Sequence, residues 1–131
     1  MRHNKKQVKL GRTASHRRAM FRNLLSSLFE HGSIITTDAK AKELKRRADI
    51  LVGWAKEGSL HRRRLAAGQL FGASALQMLF DHWGKAFPDR NSGFTRSVKV
   101  RQRQGDAALM TLVELIGANP SSATEGSKTE K

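Results

Sequence analysis

The sequence predicts an α+β domain whose elements run in the order α-β-α-α-α-β-β. Three observations carry that expectation. Two long stretches, about residues 15–31 and 38–57, repeat apolar side chains at spacings of three and four, the period of a helix with one buried face. A β-branched run, Ser33-Ile34-Ile35-Thr36-Thr37, lies between them. Two further β-like runs near the C-terminal end are separated by turn-forming residues. A chain of 131 residues has one domain as its prior.

Residues 1–14 (MRHNKKQVKLGRTA) hold only Val8 and Leu10 as sizeable apolar groups after Met1. No face of either period can be drawn, so this basic N-terminal extension reads as an arm, disordered alone and ordered on a partner. The domain is placed at 15–116. Ser15 is the candidate N-cap of a first helix. Met20, Leu24 and Leu28 form one apolar ridge of that helix; Phe21, Leu25 and Phe29 form the next. Gly32 stands where a left-handed residue stops a helix.

After the strand at residues 33–37, Thr37 caps a second helix that has Asp38 in its first turn and ends at Glu57-Gly58. Its core face is Ala41, Leu44, Ala48, Leu51, Val52 and Ala55; Lys42 and Arg46 share another side, as do Glu43 and Arg47. A short basic helix is expected from Ser59 to about Leu70. Ser74 with Gln77 reads as a capping box that opens a fourth helix through Trp83, with Leu76, Leu79, Phe80 and Trp83 as its apolar face. Gly84, Pro88, Asp89, Asn91 and Gly93 mark a loop. Phe94–Arg101 and Ala107–Ile116 then form an antiparallel hairpin across Gly105-Asp106. Phe94, Val98 and Val100 are expected to cover the helices, with Thr95, Lys99 and Arg101 facing outward. Residues 117–131 (GANPSSATEGSKTEK) lack core residues and read as a disordered tail.

The charge is more informative than the fold. The first twenty-nine residues contain eight Lys or Arg and no Asp or Glu, and the formal net charge is +14. Arg17 and Arg18 fall in the first turn of the first helix, where the macrodipole disfavours cations. Such self-repulsion is relieved when a polyanion neutralises it, and the phosphate backbone of a nucleic acid has the required charge density. RNA is preferred over DNA. No helix-turn-helix with a polar recognition helix can be drawn, and basic arms that order between helices suit a reader of RNA shape.

Other classes are disfavoured. No apolar run approaches the roughly 18 to 20 residues of a membrane span, and the start of the chain has no apolar segment of a secretory signal. There are no cysteines, which removes disulfides, thiolate zinc sites and thiol nucleophiles. The expectation is a cytoplasmic protein. The acids are scattered rather than clustered as two-metal chemistry requires. The histidines (His3, His16, His31, His61, His82) have no ligand spacing with carboxylates, and neither a glycine-rich phosphate loop nor a Gly-x-Ser-x-Gly elbow is present. No catalytic residue, metal, cofactor or small-molecule substrate is therefore assigned. The rivals are a nuclease or RNA-modifying enzyme, and a nucleoid-type protein that compacts DNA.

The segment Gly11-Arg12-Thr13-Ala14-Ser15-His16-Arg17-Arg18-Ala19-Met20-Phe21-Arg22-Asn23-Leu24 resembles the opening of the bacterial large-subunit ribosomal protein seventeen family. So do Ile35-Thr36-Thr37, Lys40-Ala41-Lys42-Glu43-Leu44, Asp49-Ile50-Leu51 and the hairpin from Gly93 through Arg103-Gln104-Gly105-Asp106-Ala107 to Glu114-Leu115. The likeness covers residues 1–116. Ser92-Gly93-Phe94 departs from the usual two glycines and tyrosine, and Leu109 replaces a common proline. The resemblance implies four helices packed on a three-stranded sheet, with the strand near Ile34–Thr37 joining the hairpin. It also implies a non-enzymatic structural constituent of the ribosome with a role in translation, bound to large-subunit ribosomal RNA near the polypeptide exit, beside other ribosomal proteins. The leading candidates for RNA contact are Arg2, His3, Lys5, Lys6, Lys9, Arg12, Ser15, His16, Arg17, Arg18 and Arg22. Thr95, Arg96, Lys99, Arg101 and Arg103 on the hairpin come second, and Lys40, Lys42 and Arg46 third.

Overall fold

The computed structural model describes His3 and residues 8–117. Apart from Gly117, the tail read from the sequence lies outside the described residues, as do Arg2, Lys5 and Lys6 of the arm.

Helix α1 spans Ala14–His31 and stops at Gly32, whose φ of 80° is left-handed and whose N–H donates to Leu28 O. Its N-cap is Thr13 rather than Ser15: the Thr13 hydroxyl accepts from His16 N, and Ser15 already lies within the first turn. Strand β1 is Ser33–Thr37 and helix α2 is Asp38–Glu57, closed by the left-handed Gly58. The expected face of α2 (Ala41, Leu44, Ala48, Leu51, Val52, Ala55) is buried throughout, against Phe21, Leu25, Leu28 and Phe29 of α1. Met20 and Leu24 are only partly buried at the margin of that core.

Helix α3 is short, Leu60–Ala67, with Ser59 as its side-chain cap. Helix α4 opens over Ala73–Gln77, widens to a π-helical turn over Met78–Trp83 and closes over Gly84–Ala86. The capping box expected there does not form. Gly72, with φ of 81°, precedes the helix, and the Ser74 hydroxyl instead donates to the Glu30 carboxylate on α1. Trp83 is fully buried, and its indole N–H donates to Phe29 O at 2.8 Å, fastening α4 to α1. Gly84 lies against α2 so closely that an added Cβ would come within 2.9 Å of Ala55 O.

Strands β2 (Thr95–Gln102) and β3 (Leu109–Leu115) complete an antiparallel sheet in the order β1-β3-β2. Thr111, Val113 and Leu115 of β3 face the helices, so the residues paired beside them, Thr95, Ser97 and Lys99 on β2, lie on the same face. Phe94, just before the strand, is buried in the core as expected, but within β2 the expected orientation is reversed. Thr95 is buried, while Val98 and Val100 are about half exposed on the uncovered side. The alternation misled because β2 is an edge strand that runs out past the helices, so most of its length has no core to face. Asp49 on α2 pins the start of the hairpin by accepting from Phe94 N at 3.2 Å and Thr95 Oγ1 at 3.0 Å.

Candidate nucleic-acid interface

The approach to α1 is a turn in which Leu10 and Gly11 both take positive φ, 55° and 64°. Leu10 packs against the core, and the Arg12 guanidinium folds back to donate to Leu10 O at 2.9 Å. Arg17 reaches back from the first turn of α1 to Arg12 O at 3.0 Å and is only 8% exposed. It ties the entering segment to the helix. No acid occupies the first turn of α1, so the positive end of the helix and Arg17 and Arg18 reinforce one another.

One turn further, Arg22 donates to Leu70 O at 3.1 Å and lies 3.9 Å over the Phe71 ring. From α2, Arg47 lies 4.4 Å over the Phe21 ring and donates to Glu43 at 2.9 Å. These groups surround a cleft of about 540 Å³ whose walls carry Arg17, Arg18, Arg22 and Arg47, with Ser15, Gly68 and Gln69 at its rim. Two buried guanidinium atoms, Arg12 Nε and Arg22 Nε, have no hydrogen-bond partner among the described residues. A buried donor without an acceptor is costly, and a phosphate oxygen is the acceptor that matches a guanidinium edge best.

The other candidates fall into distinct positions. His3, Lys9 and His16 are exposed. Ser15 stands at the cleft, with its hydroxyl 3.4 Å from that of Thr13. On α2, Lys42 pairs with Asp38 at 3.1 Å, and Arg46 is held in two hydrogen bonds by Glu43, at 2.7 and 3.2 Å. Lys40 is half-buried near the start of the same helix. Glu43 is itself buried; burial pushes its carboxyl up, but hydrogen bonds from Arg46 and Arg47 prevail and hold it below its ordinary value.

On the hairpin, Thr95 is committed to Asp49, Arg96 pairs with Glu114, and Arg103 binds Asp106. The Asp106 carboxyl is lowered to about 2, first by the Arg103 hydrogen bond and then by the Ala108 N–H. Lys99 shares the helix-side face, whereas Arg96 and Arg101 lie on the other; a bulge between Lys99 and Arg101 shifts the register. The hairpin cations therefore do not form one track. The basic run at α3 also splays, with Arg62 on Glu57 at 2.8 Å and Arg63 near Asp81 at 3.8 Å.

Two polar side chains of the cleft, Arg47 and Gln69, escaped the sequence reading. Arg47 belongs to the run Lys45-Arg46-Arg47, which looks like an ordinary solvated face until α1 is packed beside it. Gln69 lies between α3 and α4 and carries no local signal. Among the described residues, no group of three or more His, Asp or Glu could hold a metal ion, and no helix is long and apolar enough to cross a membrane.

The chain is similar in sequence to proteins of one family. Residues 20–116 match the family model described as Ribosomal protein L17. The large ribosomal subunit protein bL17 of Desulforapulum autotrophicum is 51% identical over 116 residues, covering 88% of this chain and 97% of that protein. The bL17 of Desulfosudis oleivorans is 46% identical over all 131 residues, which span 63% of its own length. That of Trichlorobacter lovleyi is 46% identical over 116 residues, covering 88% of this chain and 94% of the relative. With the family model matched over residues 20–116 and two of these relatives aligned over more than nine-tenths of their own length, the chain belongs to the ribosomal protein L17 family.

Proposed function

We propose that this protein binds and stabilises the RNA of the large ribosomal subunit, near the polypeptide exit side, with the cleft at the start of α1 as its anchor. As a ribosomal L17 protein it is a structural constituent of the bacterial large subunit and works in the cytoplasmic ribosome, in translation. Its role is non-enzymatic. Its partners are ribosomal RNA and neighbouring ribosomal proteins. The basic arm (residues 1–14) adds cationic charge for RNA, and the domain (15–116) supplies the platform that carries the cleft.

The observation that carries this reading is the convergence of Arg17, Arg18, Arg22 and Arg47 on one cleft at an acid-free helix N-terminus. Two of the arginines need no induced ordering, because backbone carbonyls already hold their guanidiniums. A phosphate therefore meets charges whose orientational entropy has been lost in folding.

The test measures binding to large-subunit ribosomal RNA fragments across a salt series. The slope of log affinity against log salt falls by about 0.7 to 0.9 per phosphate contact removed. Deleting residues 1–14, or changing Arg18→Gln with Arg22→Gln, is expected to weaken binding and flatten that slope. An unchanged slope in both variants would refute the anchor. Preference for duplex DNA in competition would favour the nucleoid reading, and metal-dependent cleavage of labelled RNA would favour an enzyme.

A further inference from the structure

We propose that the arginine cleft continues into a receptor for one unstacked RNA base, so that a single extruded nucleotide places its phosphate in the cleft and its base in the adjoining slot. The proposal rests on the RNA-binding reading above. The slot holds about 280 Å³ and shares two residues, Arg47 and Gln69, with the cleft. Leu25 and Leu51 are buried and form its floor, while Ile50 and Trp54, one turn apart on α2, line it from the rim. Ile50 is 43% exposed, although every apolar residue of the core face of α2 is buried.

The chemistry of this lining matches a base better than a backbone. A base has two apolar faces and a polar edge. Indole and guanidinium planes stack on such faces. The Gln69 amide offers a donor and an acceptor, both required to read a base edge. Arg46, on the lip of the slot, is held in a fixed plane by its two hydrogen bonds to Glu43, as stacking requires. Glu43 then has a purpose that its charge alone would contradict: it sits in a cationic surface not to meet RNA but to orient Arg46 and Arg47. Two phosphates in succession would not use Trp54, Ile50 or Leu51. A protein partner's apolar side chain would use them, but would leave the shared Arg47 and the adjoining cationic cleft unmatched.

The full chain is titrated with two RNA hairpins of the same sequence, one fully paired and one carrying a single unpaired 2-aminopurine. The bulged hairpin is expected to bind about tenfold more tightly, with the 2-aminopurine emission quenched and the tryptophan emission shifted. Trp54→Leu removes most of that preference while leaving binding of the paired hairpin in place. Gln69→Ala, at an exposed loop position, lowers the preference without touching the core, and serves if Trp54→Leu folds poorly. Equal affinity for the two hairpins with unquenched 2-aminopurine overturns the base receptor alone, and assigns the slot to an apolar side chain of a protein neighbour. Failure to bind either hairpin or ribosomal RNA overturns the RNA-binding reading beneath it.

Discussion

Two glycines in helices of this protein should respond to the same substitution with opposite sign. Gly84, in α4, faces Ala55 of α2: a Cβ built there lies 2.9 Å from Ala55 O and 3.0 Å from Ala55 C and Cβ. Two of those three atoms are backbone, so no rotamer change relieves the contact and the helices must separate. Overpacking of this kind costs about 1–3 kcal/mol, against a gain of about 1 kcal/mol from replacing Gly by Ala in a helix. Gly84→Ala should therefore be net destabilising by about 1 kcal/mol, and Gly84→Val by more. Gly53, inside the C-terminal part of α2, has nothing within 4 Å of its added Cβ, so Gly53→Ala keeps only the propensity gain and should stabilise by about 0.5–1 kcal/mol. Urea unfolding followed by circular dichroism measures both. With a slope of about 1–3 kcal/mol per molar, the two midpoints should move apart by about 0.5 to 2 M. A Gly84→Ala protein as stable as the parent would refute the close seam between α2 and α4.

The cap assignment separates neighbours on α1. Thr13→Ala should cost about 0.5–1 kcal/mol in thermal or urea unfolding, because the Thr13 hydroxyl accepts from His16 N, whereas Ser15→Ala should cost little. Trp83→Phe should destabilise by about 2–4 kcal/mol, since it leaves Phe29 O without its indole donor and opens space in a closed core. The Asp106 carboxyl should titrate near its lowered value of about 2 by NMR, and Arg103→Gln should move the midpoint toward 3.8. Because that carboxyl is depressed in the folded state, what it adds to stability is present above its unfolded value and is lost as pH falls through about 2. A midpoint unmoved by Arg103→Gln would mean the pair does not form in solution.

Much of this was legible because period and capping act locally. The core face of α2 could be read position by position, and Gly32 and Gly58 ended their helices where expected. The strand at Ser33–Thr37 and the antiparallel hairpin also formed, with β3 as the central strand. What local pattern could not reveal was which face of an edge strand meets the core. Val98 and Val100 alternate as buried residues do, yet on β2 only Thr95 is covered by the helices. The same limit applied to the hairpin cations. Arg96 and Arg103 looked free in the sequence, but Glu114 on the neighbouring strand and Asp106 in the turn reach them only once the hairpin is folded. Ser74 was mistaken for a cap because its true partner, Glu30, is 44 residues away. Arg47 and Gln69 join Arg17, Arg18 and Arg22 only through the packing of α1, α2 and the segment after α3, so the cleft was visible as charge but not as shape.

The most direct test of the account is a density map of the assembled large subunit containing this chain. The cleft formed by Arg17, Arg18, Arg22 and Arg47 should lie within hydrogen-bonding distance of ribosomal RNA phosphates, with the basic arm running between RNA segments. A map in which that cleft opens to solvent, or is filled by a protein neighbour, would contradict it.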